Sequence, residues 1–214
     1  MLTPPVVPRR AVLAGLAVTV TVVLAGCGRG GEYSSGTDHG AAATVPAGAA
    51  AGTTTTFNDA DVTFAQTMVP HHRQAVEMAV LAQTRAENTD VKALADRIRD
   101  TQQSEIDTMT GWLAAWGRPA PMPGAGHGTS PPGTAHPMPG MLSDADMKSL
   151  ADARGTAFDQ QFLTMMIAHH QGAVTMAREE IAKGSNADAK ALAERIVTEQ
   201  QAEITAMRDI LSRL

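Results

Sequence analysis

Cysteine is nearly absent: Cys27 is the single example in 214 residues. No disulfide can form within the chain, and if Cys27 is acylated no thiol remains for nucleophilic catalysis or as a soft metal ligand. Metal chemistry would then rest on His, Met and carboxylates. Beyond the first 56 residues there is almost no β-branched alternation, which argues against a sheet and for an all-α fold. No Ser/His/Asp set, phosphate-binding loop or cofactor fingerprint is apparent, so the residues offer no support for an enzyme of those kinds. Basic residues are also in deficit. Seventeen Lys and Arg against 22 Asp and Glu give a formal charge of −5, which speaks against nucleic acid as a partner.

Residues 1–26 have the order of a secretory signal. Arg9 and Arg10 form a positive start, "AVLAGLAVTVTVVLA" is apolar, and "LAGC" (Leu24 to Cys27) follows. Ala25 and Gly26 before Cys27 resemble a bacterial lipobox, which makes Cys27 the expected lipidation site and the mature N-terminus. The apolar run is shorter than the roughly 20 residues a membrane-spanning helix needs. "RRAVL" also resembles a twin-arginine export signal, although paired arginines are common in such regions. Loss of Arg9 and Arg10 takes the charge from −5 to −7. Residues 27–56, rich in Gly, Ala and Thr, read as a flexible tether.

What the remainder does contain is written twice. Asp61 to Leu113 and Asp159 to Leu211 align without a gap at an offset of 98, since 159 − 61 = 98. "MVPHHRQAVEMA" (68–79) matches "MIAHHQGAVTMA" (166–177), "KALADRI" matches "KALAERI", "QQSEI" matches "QQAEI", and Met109 matches Met207. Such self-similarity marks an internal duplication. Each copy reads as a helical hairpin. The first (57–116) has helices from Asn58 to about Ala86 and from about Thr89 to Trp116. The second (143–214) starts at a Ser143 cap, has a possible break at Gly155, and turns at Gly184 to Asn186. Two hairpins make a four-helix bundle, joined by the Pro/Gly-rich linker 117–142.

The apolar face of each first helix carries an anomaly. At about 100° per residue, with Met68 at zero, Phe64, Ala75, Ala79 and Ala82 share its stripe, and His71 and His72 fall at about −60° and +40°. On the second helix Gln102 and Glu105 share a face with Ile98, Ile106 and Met109. The second copy repeats this with Gln200, Glu203, Ile204 and Met207. A buried carboxylate without a partner costs several kcal/mol, and a histidine or a metal would supply that partner. Methionines at helical spacing are commonly core filler, and a His–Glu hydrogen bond is a sufficient structural explanation for such histidines. Thioether and imidazole without thiolate suit monovalent copper or silver better than zinc. The linker repeats "PMPG" and adds Met122, His127, His136, Met138 and Met141 as candidates for metal capture.

The doubled Met-x-x-His-His-x-x-Ala-Val-x-Met-Ala pattern, "FDQQFL" (158–163) and the two Gln-x-x-Glu-Ile-x-x-Met segments resemble domain of unknown function family 305, the CopM-like proteins, over residues 57–214. The resemblance implies a ferritin-like four-helix bundle outside the cytoplasm, with copper or silver binding in those members that have a function. It implies ligands at Met68, His71, His72, Met78, Met166, His169, His170 and Met176. Met109 and Met207 complete the expected thioether set, and Gln102, Glu105, Gln200 and Glu203 are expected to orient or compensate it. The expected protein is a non-catalytic, lipid-anchored binder of Cu(I) or Ag(I). Two other readings stay open: a helical interaction module of the cell envelope with structural His–Glu pairs, and a dimetal oxidoreductase. The last is disfavoured because the Glu-x-x-His motif of di-iron bundles is missing.

Overall fold

The computed structural model describes residues 56–122 and 138–214. Cys27, His127 and His136, with the signal and the tether, lie outside the described residues. Among the described residues there are five helices and no strand: α1 (Asp59–Arg85), α2 (Thr89–Ala115), α3 (Asp144–Asp152), α4 (Gly155–Lys183) and α5 (Ala187–Leu211). None of these helices is long and apolar enough to cross a membrane. The duplication holds at the helix ends. The first helices of the hairpins end at 85 and 183 and the second begin at 89 and 187, each pair 98 apart.

Local chemistry sets these boundaries. Asn58 accepts from the Ala60 and Asp61 amides while Asp61 accepts from the Asn58 amide, a reciprocal capping box. Asn88 and Asn186 cap α2 and α5 in equivalent places. Pro70 lies inside α1 without ending it. The expected four helices are five, because the Ser143-capped start is a separate nine-residue element. Ala153 and Arg154 separate it from α4, whose first residue, Gly155 at φ +62°, has a conformation that glycine adopts without strain.

α1 packs on α2, α4 packs on α5, and α1 packs on α4, whereas α2 and α5 meet only sparsely. The α1–α4 pair is antiparallel, and two carboxylates fix it. Asp61, at the start of α1, accepts from the Ser185 and Asn186 amides in the turn after α4. Asp159, at the start of α4, accepts from the Glu87 and Asn88 amides in the turn after α1. All six positions obey the 98-residue offset, as the pairs 61/159, 87/185 and 88/186. Each hairpin thus clasps the turn of the other.

Two apolar clusters fill the bundle. One gathers Met78, Leu94, Ile98, Leu150, Phe158, Phe162, Met166 and Met207; the other gathers Phe64, Met68, Met109, Leu113, Met176, Leu192 and Ile196. Burying each such side chain stabilises the fold by about 1.5–3 kcal/mol. Pro119 and Pro121 lie along α1, where their carbonyls accept from Gln66 and Arg73. At the other end of the connection, Arg85 donates to Ala151 O of α3. The connection therefore returns along α1 toward the end of the bundle where α4 begins.

Candidate metal centre

The antiparallel crossing of α1 and α4 brings the two His-His pairs together. His71, His72, His169 and His170 are all 0% exposed. The rings of His71 and His169 face each other across the crossing, with centroids 3.8 Å apart and planes tilted by 35°. Helical geometry turns the next residue by about 100°, so His72 and His170 reach the outer helices instead. His72 Nε2 lies 2.7 Å from Glu105 Oε2 on α2, and His170 Nε2 lies 2.7 Å from Glu203 Oε2 on α5. Both halves answer the buried-carboxylate problem in the same way. Glu199 is raised from its ordinary value by desolvation and then by Glu105 and Glu203.

The protons on these rings follow from their partners. A carbonyl oxygen only accepts, so His71 Nε2, 3.1 Å from Pro139 O, donates to it. Burial, with His72 nearby, pushes His71 down to about 3, so its ring is neutral and its lone pair sits on Nδ1. Burial and the neighbouring histidines hold His169 well below its usual value. The Nδ1 atoms of all four rings lack a hydrogen-bond partner, and His169 lacks one at Nε2 as well. An unsatisfied buried polar atom costs about 1–3 kcal/mol. Ring nitrogens anchored on one side by a carboxylate or carbonyl, with the other left open, are the arrangement that orients imidazole toward a metal.

The thioethers are distributed differently from the sequence motif. Met68 and Met78 of the first copy fall in opposite clusters: Met68 joins Met109 and Met176, while Met78 joins Met166 and Met207. The antiparallel crossing exchanges the motif mates between the two ends of the bundle. All six are buried, Met176 the least so at 9% exposure. Gln102 and Gln200 are buried, and both polar ends of Gln102 and the Oε1 of Gln200 have no hydrogen-bond partner. In the linker Met122 is 75% exposed. Met138 and Met141 flank the Pro139 carbonyl that His71 meets. Among the described residues no three His, Cys, Asp or Glu side chains form a group that could hold a metal ion.

Residue typing missed three positions. Gln74 and Gly172 occupy equivalent places in the two copies, and both receive the linker's return. The Gln74 amide donates to Leu142 O and accepts from Leu142 N, whereas a Cβ on Gly172 would collide with the Pro139 carbonyl. Glu180, where the first copy has Ala82, is 1% exposed. Burial and then Asp61 push its carboxyl up to about 8. The copies differ at both places, 74/172 and 82/180, but they differ at many other aligned positions too, so the mismatch alone did not single these out.

These features define an all-helical bundle of two duplicated hairpins with a buried, paired-histidine crossing. The chain belongs to the family described as Domain of unknown function (DUF305), whose model matches residues 61–211. A DUF305 structure from Streptomyces coelicolor, described as a secreted protein, is 36% identical with a TM-score of 0.64, over 72% of this chain and 91% of that one. CopM in its Cu(I)-bound form is 32% identical with a TM-score of 0.58, over 72% of this chain and 96% of that one. CopM in an Ag-bound form obtained by soaking is 32% identical with a TM-score of 0.57, over 72% and 95%. No curated protein matches the chain by sequence.

Proposed function

We propose that the protein is an extracytoplasmic, lipid-anchored binder of Cu(I), and of the similarly soft Ag(I), that sequesters or delivers the ion without catalytic turnover. The observation that carries this reading is the quartet of fully buried imidazoles whose Nδ1 atoms are all unpartnered. Neutral imidazole and thioether are a donor set for monovalent soft cations. The copper- and silver-bound structures of CopM support the choice of cargo, and the secreted description of the Streptomyces coelicolor relative supports the location. Lipidation at Cys27 rests on the sequence pattern.

The interaction-module reading draws on the two His–Glu hydrogen bonds, which are complete without a metal. They leave His169 unexplained, because neither of its nitrogens is satisfied. Metal analysis of protein purified after copper exposure separates the alternatives. Bound copper is expected, with capacity reduced in His169→Ala at unchanged helical content. Iron or manganese would instead support a dimetal enzyme, and an empty protein the interaction module.

A further inference from the structure

The two copies of the repeat differ at 74/172, where the linker re-enters the bundle. Residues 138–142 form a short strap across the α1–α4 crossing, turned by a Met141 N to Met138 O hydrogen bond and by Gly140 at φ +79°. Gln74 grips its far end at two points, with Nε2 3.0 Å from Leu142 O and Leu142 N 2.8 Å from Oε1. Gly172 forms its seat. A Cβ there would strike the Pro139 carbonyl, and one on Gly140 would lie 2.7 Å from Ala168 O and 2.9 Å from His169 O. The carbonyl delivered by this arrangement is the one His71 Nε2 meets. His169, the symmetry mate of His71, receives no such carbonyl.

We infer that the Met138–Leu142 strap is the positioning element of the histidine centre: latched by Gln74 and seated on Gly172, it holds His71 with its proton on Nε2 and so assigns Nδ1 as the ligating atom. This rests on the soft-cation reading for the cargo, but the positioning itself is a property of the metal-free protein. Gln74 pairs with the strap as a second peptide group would, donating and accepting at once. Glutamate in its place keeps only the acceptor half, and alanine keeps neither. Gly172→Ala attacks the same contact from the opposite helix by steric exclusion, lifting the strap off an unaltered Gln74 side chain. His169 receives no strap carbonyl, and the backbone beside its ring is that of His71, so its tautomer is set less firmly than that of His71. The duplicated centre thereby acquires one preset ring and one adjustable ring. Met138 and Met141 travel with the strap, so its seating also sets how close their thioethers come.

The test uses the full chain and silver ion as the probe. In the metal-free wild type, nitrogen–proton correlation spectra of the imidazoles should show His71 in a single Nε2-protonated form, with Leu142 N–H protected from exchange. Gln74→Ala and Gly172→Ala should each turn His71 into a tautomer mixture and speed exchange at Leu142 by about tenfold, the scale of one lost hydrogen bond. Gln74→Glu should fall between. Silver ion should perturb Nδ1, and not Nε2, of wild-type His71, and it should exchange faster in the variants. A His71 tautomer and a Leu142 protection that both variants leave unchanged, with the bundle folded by circular dichroism, overturn the positioning role. A strap signature that responds as expected, with a His71 ring that silver ion leaves untouched, overturns the ligand assignment and the soft-cation reading with it.

Discussion

At the scale of single residues, Glu180 shows how a duplicated helix can be made unequal. It replaces Ala82 of the first copy and faces the Asp61 carboxylate that clasps the α4–α5 turn. Neither Glu180 oxygen has a donor, so at neutral pH the group keeps its proton, directed at the acceptor Asp61. The linkage sign follows from the raised value. Between its ordinary 4.5 and about 8 the folded state holds a proton that the unfolded state has released, and stability must fall as pH rises across that interval. The contribution is complete below about 4.5 and is lost through about 8. Asp61 has the opposite sign: burial raises it, but the amides of Asn58, Asn186 and Ser185, together with Glu180, hold it below 3.8, so its contribution is lost as pH falls through that lowered value. Glu180→Gln keeps a donor toward Asp61 and removes the ionisation. Urea midpoints measured from pH 5 to 9 should decline more steeply in wild type than in this variant. Parallel slopes would show that Glu180 already ionises near its ordinary value.

At the scale of elements, the paired clasps carry the registration of the hairpins. Asp159 is 1% exposed and serves two amides that have no other acceptor in their turn. Hydrogen bonds to a charged group contribute about 1.5–3 kcal/mol, so Asp159→Ala should lower stability by about that amount in denaturant melts, with helical content retained. A loss within a few tenths of a kcal/mol would mean that the apolar α1–α4 interface sets the register alone. The helices themselves were legible because their signals are local: Asn58 and Ser143 as caps, Gly184–Asn186 as a turn, and a buried stripe at helical period. The His72–Glu105 and His170–Glu203 pairs were half legible, since the pattern placed both members on buried faces without naming which pairs with which. Three features were not legible. The separation of Met68 from Met78 depends on the antiparallel crossing, which no residue in either copy encodes by itself. The role of Gln74 depends on a linker 68 residues away in sequence. The role of Gly172 depends on the Pro139 carbonyl packed against it, which nothing local in the sequence signals.

For the whole molecule, the exchange of motif mates means that neither hairpin holds a complete centre. His71 faces His169, Met68 shares a cluster with Met176, and Met166 shares one with Met78. Asp61 finds its amides in the second hairpin and Asp159 finds its own in the first. The 98-residue offset turns each of these contacts into another of the same set, Met68–Met176 into Met166–Met78 and the Asp61 clasp into the Asp159 clasp, with His71 and His169 equivalent to each other, so a second copy of the first hairpin offers the groups that the second hairpin normally supplies. Residues 56–118 alone should therefore assemble as an antiparallel dimer, with Asp61 of each copy reaching the turn amides of Glu87 and Asn88 in the other and the two His71 rings meeting at the crossing. The apolar face of α1 gives the driving force, since α1 packs on α4 as well as on α2 and an isolated hairpin would leave the part of that face covered by α4 in water. The dimer would lack the strap, the short α3 and Glu180, and so both copies of His71 would be as unconstrained as His169 is in the full chain. Analytical ultracentrifugation with circular dichroism is the measurement. A helical species of twice the hairpin mass is expected, dissociating and losing helix together on dilution. A hairpin that stays folded as a monomer would mean that its buried face does not depend on the duplicated partner, and that the clasps register the halves without being needed to fold them.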